Sequence, residues 1–111
     1  MAKEKETPVS NGGITQEQIA MWKNQHRKVS EISVIDEGEK HVGYFHRPSM
    51  ETMSAVNKIG KTDEVKAANI LFDNCWLGGS QTMKEDAVVK MAAIGKLNEL
   101  MNISTAEIKN L

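Results

Sequence analysis

Hydrophobic residues recur along this chain with two different spacings, and the spacing changes around residue 29. In residues 29–46 apolar side chains follow a two-residue period, with Ile32 and Val34 on one face. The polar segment 36–39 separates two such runs, and Gly38 suits the positive φ that a loop of three to five residues requires. The pattern predicts a β-hairpin, whose two strands need helices to pack against because an isolated hairpin is marginally stable.

A helix is predicted before the hairpin. Thr15 and Gln18 have the spacing of a capping box, and Ile14 with Ile19 has that of a hydrophobic staple. Residues 1–13 combine alternating Lys and Glu with Pro, Ser, Asn and Gly, so we expect a disordered N-terminal tail there.

Helical spacing dominates after the hairpin. Ser49 is the expected cap of a helix that ends at Gly60, and Thr62 that of a second helix. The second helix carries an apolar face and is expected to end at Gly78-Gly79, acting as C-terminal caps. That face consists of Val65, Ala68, Phe72 and Cys75, widened by Leu71 and Trp76.

Two further helices complete the prediction. One starts near Thr82, with Glu85 closing a capping box. It is expected to bury Val88 or Val89, Ala92, Leu97 and Leu100 or Met101. The other is a short terminal helix whose capping box is formed by residues 104–107 and whose staple is Ile103 with Ile108. The predicted fold class is therefore α+β, with an N-terminal helix, one β-hairpin and three to four helices packed on it, as a single domain over residues 14–111.

Composition narrows the class of protein. The chain has 111 residues, enough for one domain, and a formal net charge of −1, without the basic face that nucleic-acid binders use. The single cysteine excludes an internal disulfide, and no apolar run approaches the roughly 18 residues that a membrane span requires. The N-terminus also lacks the apolar stretch of a signal peptide, so we expect a soluble intracellular protein.

The chemically reactive residues show no catalytic or metal-binding pattern. His26, His41 and His46 are not spaced as metal-ligand pairs, and His41 and His46 have opposite parity along one strand. Cys75 lies on an apolar helical face, where packing is a more frequent role than nucleophilic catalysis. We therefore expect no enzyme activity, no metal and no cofactor.

Two features are typical of interaction surfaces. Arg47 precedes Pro48 at a strand-to-helix corner, where its guanidinium either pairs with a carboxylate to lock the corner or contacts a partner; locking is the favoured interpretation. Seven methionines also occur, and such side chains fill cores or form adaptable binding surfaces, with core packing favoured.

The order of elements resembles that of small tail assembly chaperone-like proteins of tailed bacteriophages and prophages. The similarity is carried by the strand and corner at residues 42–49 leading into residues 50–56, by residues 63–79 with their Asn-Cys-Trp-Leu-Gly-Gly close, and by a terminal helix. It extends, as an order of elements, over residues 14–111.

This resemblance implies a non-enzymatic protein of virion morphogenesis in the host cytoplasm. Such chaperones bind the tape measure protein, keep it soluble and help tail tube protein polymerise around it. Because that client exposes apolar helical stripes, a groove between helices is the expected binding site. The candidate partner-binding residues are Arg47, Met50, Met53, Phe72 and Trp76.

Other classes of function stay open at this point. A small structural virion protein, such as a head-tail connector or tail-completion protein, would have similar features and assemble into a ring. An enzyme or a regulatory DNA-binding module is disfavoured by the absence of a catalytic pattern and by the balanced charge. Self-association into a homo-oligomer is compatible with either phage role, whereas no membrane partner is expected.

Overall fold

The structure, a computed structural model, describes residues 8–111. These residues form five α-helices and a mixed four-stranded sheet. In chain order the elements are β1 (Val9–Ser10), α1 (Gln16–Gln25), β2 (Val29–Asp36), β3 (Glu39–His46), α2 (Met50–Gly60), α3 (Glu64–Cys75), β4 (Trp76–Gly79), α4 (Gln81–Glu85) and α5 (Ala87–Leu100).

The predicted hairpin is formed by β2 and β3. Their pairing runs from Val29 opposite His46 to Asp36 opposite Glu39, which leaves a two-residue loop. Both loop residues, Glu37 and Gly38, have positive φ, as a type I′ turn requires. The loop is shorter than the three to five residues expected from the sequence.

Strand β3 is the centre of the sheet because it pairs with every other strand. β2 lies antiparallel on one side of it, while β1, parallel, and β4, antiparallel, share the other side. β1 meets β3 at Lys40 and His41, and β4 meets it at residues 43–45. β3 is consequently buried along most of its length.

The α+β class is thus correct, but the predicted arrangement of elements is wrong in two respects. A strand precedes the first helix, so that helix is not the N-terminal element, and the sheet extends beyond one hairpin. Residues 8–10 join the sheet, with the Lys40 N–H donating to the Pro8 carbonyl at 2.8 Å. The disordered tail was predicted for residues 1–13; its described part, residues 8–13, contains β1, and residues 1–7 lie outside the described residues.

Helix boundaries follow the caps that form. Thr15 makes the predicted capping box with Gln18, and Ser49 caps α2. α3 is capped by Asp63, whose carboxylate accepts from the Lys66 N–H, one residue later than the predicted Thr62. These three caps therefore lie within one residue of their predicted positions.

Three predicted helix features are wrong. Gly78-Gly79 do not cap a helix; they belong to β4, because the backbone becomes extended at Trp76 and pairs with β3. The long helix predicted from Thr82 breaks at Asp86, which caps α5 by accepting from the N–H groups of Val88 and Val89. Residues 103–111 form no helix.

The main core lies between one face of the sheet and helices α3, α4 and α5. Phe45 of β3 packs edge-on against Phe72 and Trp76, with ring centroids 5.3 and 5.4 Å away. Ile32, Met83, Val89 and Leu97 are buried in the same cluster. On the opposite face, Trp22 of α1 covers Tyr44, with ring centroids 5.9 Å apart.

Glycine permits the close approach of β4 to β3. A Cβ at Gly43 would lie 2.8 Å from the ring of Trp76 in β4, and one at Gly79 would lie 2.5 Å from the Val42 carbonyl oxygen. Gly79 also has a φ of 146°, which favours glycine. These positions fix the strand pairing that holds α3 and α4 on the sheet.

Candidate functional site

A surface depression lies in a groove between helices α2, α3 and α5. It has a volume of about 600 Å³, within the range of ligand-binding clefts. Three kinds of side chain line it: apolar ones along its length, small ones that allow close approach, and polar ones at its rim. The apolar residues are Val56, Leu71, Met91 and Ile94, the small ones are Gly60, Ala67 and Ala68, and the polar ones are Asn57, Lys61, Glu64 and Asn98.

The turn between α2 and α3 sets one wall of this groove. The Asp63 N–H donates to the Ile59 carbonyl at 2.8 Å, and the Asp63 side chain then caps α3. Gly60 lies where the two helices meet, and a Cβ added there would be in ordinary van der Waals contact, at 3.5 Å, with that of Ala67. The wall is therefore a tight helical hairpin fixed by short-range bonds.

A second depression, of about 240 Å³, lies between α2 and the C-terminal end of α5. It is lined by Met53 of α2 and by Leu100 and Met101 at the end of α5, together with the Arg47-Pro48 corner and Ser104. Met53 lies one helical turn before Val56, and Leu100 lies just after Asn98, so the two depressions are adjacent. We call them together the α2–α5 groove.

Two of the predicted partner-binding residues line this groove. Arg47 is exposed, and among the described residues no carboxylate lies within salt-bridge distance of it. The favoured interpretation that it locks the corner through an ion pair is therefore wrong for the described part of the chain. Met53 is half-buried in the second depression.

The other predicted residues lie elsewhere. Met50 is 83% exposed but lines neither depression. Phe72 has no exposed surface and Trp76 stacks on it at 5.2 Å, so both serve the core rather than the groove. Helical periodicity placed Phe72 on a buried apolar face correctly, but Trp76 belongs to β4 rather than to the helix, and Val65 of the predicted face is 61% exposed. The periodicity also does not reveal that the sheet covers this face.

Sequence reasoning missed Met91 and Ile94 as groove residues. α5 buries Val89, Ala93, Ile94 and Leu97, whereas the sequence pattern placed Ala92 in the core. α5 is apolar around much of its circumference, so its pattern alone does not identify the buried face. Met91, 49% exposed, then remains on the groove side.

A buried polar cluster was also missed. The His41 Nδ1 and the Ser80 hydroxyl share a hydrogen bond of 3.1 Å, and Glu39 Oε1 lies 3.5 Å from His41 Nε2. Ser10 of β1 donates to the Ser80 oxygen at 3.5 Å. Ser80 is fully buried and His41 nearly so, which leaves a substrate no access to this Ser-His-Glu arrangement. In this conformation the cluster joins β1, β3 and the start of α4.

The remaining two histidines contact each other. His26 and His46 stack face to face, with ring centroids 4.4 Å apart, and connect the end of α1 to the sheet. Within residues 8–111 no three His, Cys, Asp or Glu side chains are grouped as metal ligands. In the same residues no helix has the length and hydrophobicity needed to cross a membrane.

Cys75 is a core residue, as its position on the helical face predicted. It has no exposed surface, and burial raises the pKa of its thiol to about 11. A thiol so protonated at neutral pH is a poor nucleophile.

Comparison with known proteins gives information on the fold alone. No protein-family model matches the chain, and no curated protein sequence matches it. A solved structure of an uncharacterised protein from Bacillus stearothermophilus is similar to it, with a TM-score of 0.59 and 21% sequence identity. The similarity covers 83% of this chain and 99% of that protein.

Proposed function

We propose that this protein is a non-enzymatic phage tail assembly chaperone that binds tape measure protein in the host cytoplasm and assists assembly of the tail tube. The resemblance of residues 42–49 and 63–79 to such chaperones motivates the proposal. The role requires no cofactor, metal ion, nucleic acid or membrane.

The α2–α5 groove is the observation that carries this proposal. An amphipathic client helix binds by placing its apolar stripe in a hydrophobic groove between helices. Here Val56, Leu71 and Ile94 offer an apolar surface, while Gly60 and Ala68 leave space for a helix to approach. Such a groove would shield an apolar stripe of the tape measure protein that otherwise promotes aggregation.

Two methionines give the groove tolerance for different client side chains. Met53 and Met91 line its two depressions, and the flexible thioether adapts to irregular partners. Arg47, at one end and free of ion pairs within the described residues, supplies a fork for client carboxylates or carbonyl groups.

Co-expression with the tape measure protein tests the proposal. Met53→Glu and Met91→Glu each place a charge in the groove, so we expect the client to move from the soluble to the insoluble fraction. Met21→Glu is the matched control because Met21 on α1 has the same 49% exposure as Met91 but lies outside the groove. If the folded groove variants keep the client as soluble as the control does, the groove is not the client site.

A small structural virion protein is the alternative, and one observation favours it. In the described residues the outer edge of β2 is unpaired along eight residues, and such an edge can pair with another subunit. Mass spectrometry of purified virions discriminates the two roles, because a chaperone leaves before maturation and a ring component stays in the particle.

A further inference from the structure

Residues 104–111 have a helix-forming sequence but form no helix in the described structure. Ser104 and Glu107 have capping-box spacing, and Ile103 with Ile108 has that of a staple. Ile108 is 91% exposed and Leu111 is fully exposed. A helix this short is unstable in water unless tertiary contacts bury its apolar side. The segment therefore lacks a surface to pack against.

The α2–α5 groove begins where this segment begins. Ser104 lines the depression that contains Met53 and Met101. From there the groove continues along α2 past Val56 and along α5 past Asn98. A helix starting at Ser104 would therefore begin at the edge of the groove.

The length of the segment matches the groove. Residues 104–111 would span about 12 Å as a helix, and the stretch of α5 from Asn98 back to Met91 spans about 10 Å. Residues 101–103 would form the connection, and helical hairpins commonly use two to five residues for such a loop.

The side chains of the segment also fit this placement. Ile108 and Leu111 are three positions apart and share one helical face, whereas Ala106 and Asn110 lie on the opposite face. At the far end of the groove, Lys61 would face the negative end of the helix macrodipole and Glu64 would lie near Lys109. Both the apolar and the charged positions of the segment are therefore complementary to the groove.

We infer that residues 104–111 fold as a helix into the α2–α5 groove of the same chain and compete there with the client helix. The described structure is then the open form. The docking does not depend on the identity of the client; the competition rests on the proposed function.

Disulfide trapping in the full chain tests the docking directly. Lys109→Cys with Glu64→Cys pairs two exposed positions that become neighbours only when the groove is filled. Lys109→Cys with Glu17→Cys is the control because Glu17 lies on α1. The native Cys75 is buried and does not interfere. We expect an intramolecular disulfide to form in the first pair at least tenfold faster than in the second.

Other outcomes of the trapping experiment overturn the inference. Equal rates for the two pairs would show that the segment does not enter the groove. Disulfide-linked dimers on non-reducing gels would show that a second copy fills the groove instead. Adding Ile108→Glu and Leu111→Glu should reduce the rate to that of the control pair, whereas adding Ala106→Glu and Asn110→Glu should leave it unchanged.

Client binding tests the competition. In pull-down titrations with tape measure protein, the Ile108→Glu/Leu111→Glu chain should bind about five- to tenfold more tightly than wild type, as expected if the groove is closed roughly 80–90% of the time. The Ala106→Glu/Asn110→Glu chain should match wild type. Trapping without client binding would refute the proposed function and leave the docking intact. Client binding without trapping, or unchanged affinity in the Ile108→Glu/Leu111→Glu chain, would refute the competition.

Discussion

Replacing Gly79 by alanine should strongly destabilise the fold, because two separate features of β4 require glycine. The backbone at Gly79 has a φ of 146°, which an L-residue adopts at a cost of about 1–3 kcal/mol. The added Cβ would also lie 2.5 Å from the Val42 carbonyl oxygen and 2.6 Å from the Gly43 Cα. Both atoms are backbone, so β4 would have to move away from β3.

The magnitude follows from adding the two effects. Forcing extra volume into a packed site costs about 1–3 kcal/mol, so the free energy of unfolding should fall by about 2–6 kcal/mol in total. A domain of this size has about 5–15 kcal/mol of stability, so the variant should be marginally folded. The hydrogen bond of 2.8 Å from the Ser80 N–H to the Val42 carbonyl should weaken at the same time.

Urea titration followed by tryptophan fluorescence and far-UV circular dichroism measures this change. Trp76 is a local probe because its ring lies 3.2 Å from the added Cβ. Gly95→Ala is the matched control: Gly95 is exposed on α5, and a Cβ added there would meet no other part of the described chain within 4 Å, so alanine should raise stability by about 0.5–1 kcal/mol. A Gly79→Ala chain within about 0.5 kcal/mol of wild type would refute the reasoning.

Three further changes test other parts of the fold. Because burial raises the pKa of the Cys75 thiol to about 11 from 9.0, the unfolded chain loses this proton first, so stability should fall by about 2 kcal/mol as pH rises from 9 to 11. Urea titrations of Cys75→Ala should lack this part of the loss. Ser80→Ala leaves the buried His41 Nδ1 without its hydrogen-bond partner and should lower the free energy of unfolding by about 1–3 kcal/mol. In a double-mutant cycle, a smaller loss of stability when His41→Ala is added to Ser80→Ala than when it is added to wild type would confirm the coupling. Asp86→Ala removes the cap of α5 and should cost about 1 kcal/mol in thermal or urea unfolding, whereas Asp86→Asn should keep most of it; equal losses would contradict the capping role.

Local signals in the sequence predicted the parts of the fold that local interactions determine. The β2–β3 hairpin, the Thr15 capping box and the Ser49 cap all depend on residues within a few positions of one another. β1 and β4 have only two and four residues and exist because β3 pairs with them across long separations in sequence. The intrinsic β-propensity of a short segment carries no information about the distant strand with which it pairs.

The candidate site was predictable only in part for a similar reason. Met53 and Arg47 stand at a corner that the sequence marks clearly with Pro48. Phe72 and Trp76 carry the same apolar signal as a binding surface, and their burial depends on where the sheet lies. Residues 104–111 carry the sequence signal of a helix but form none in the described structure, where their side chains are exposed and have no surface to pack against.

The three pairings of β3 also have a consequence for the order of folding. β2 adjoins β3 through a two-residue turn, whereas residues 47–75 separate β3 from β4. Short loops close quickly and at small entropic cost, so the hairpin can form before the helical segment folds and delivers β4 to it. The central strand of the finished sheet therefore begins folding as an edge strand, and its second side is closed by the parts of the chain that arrive late.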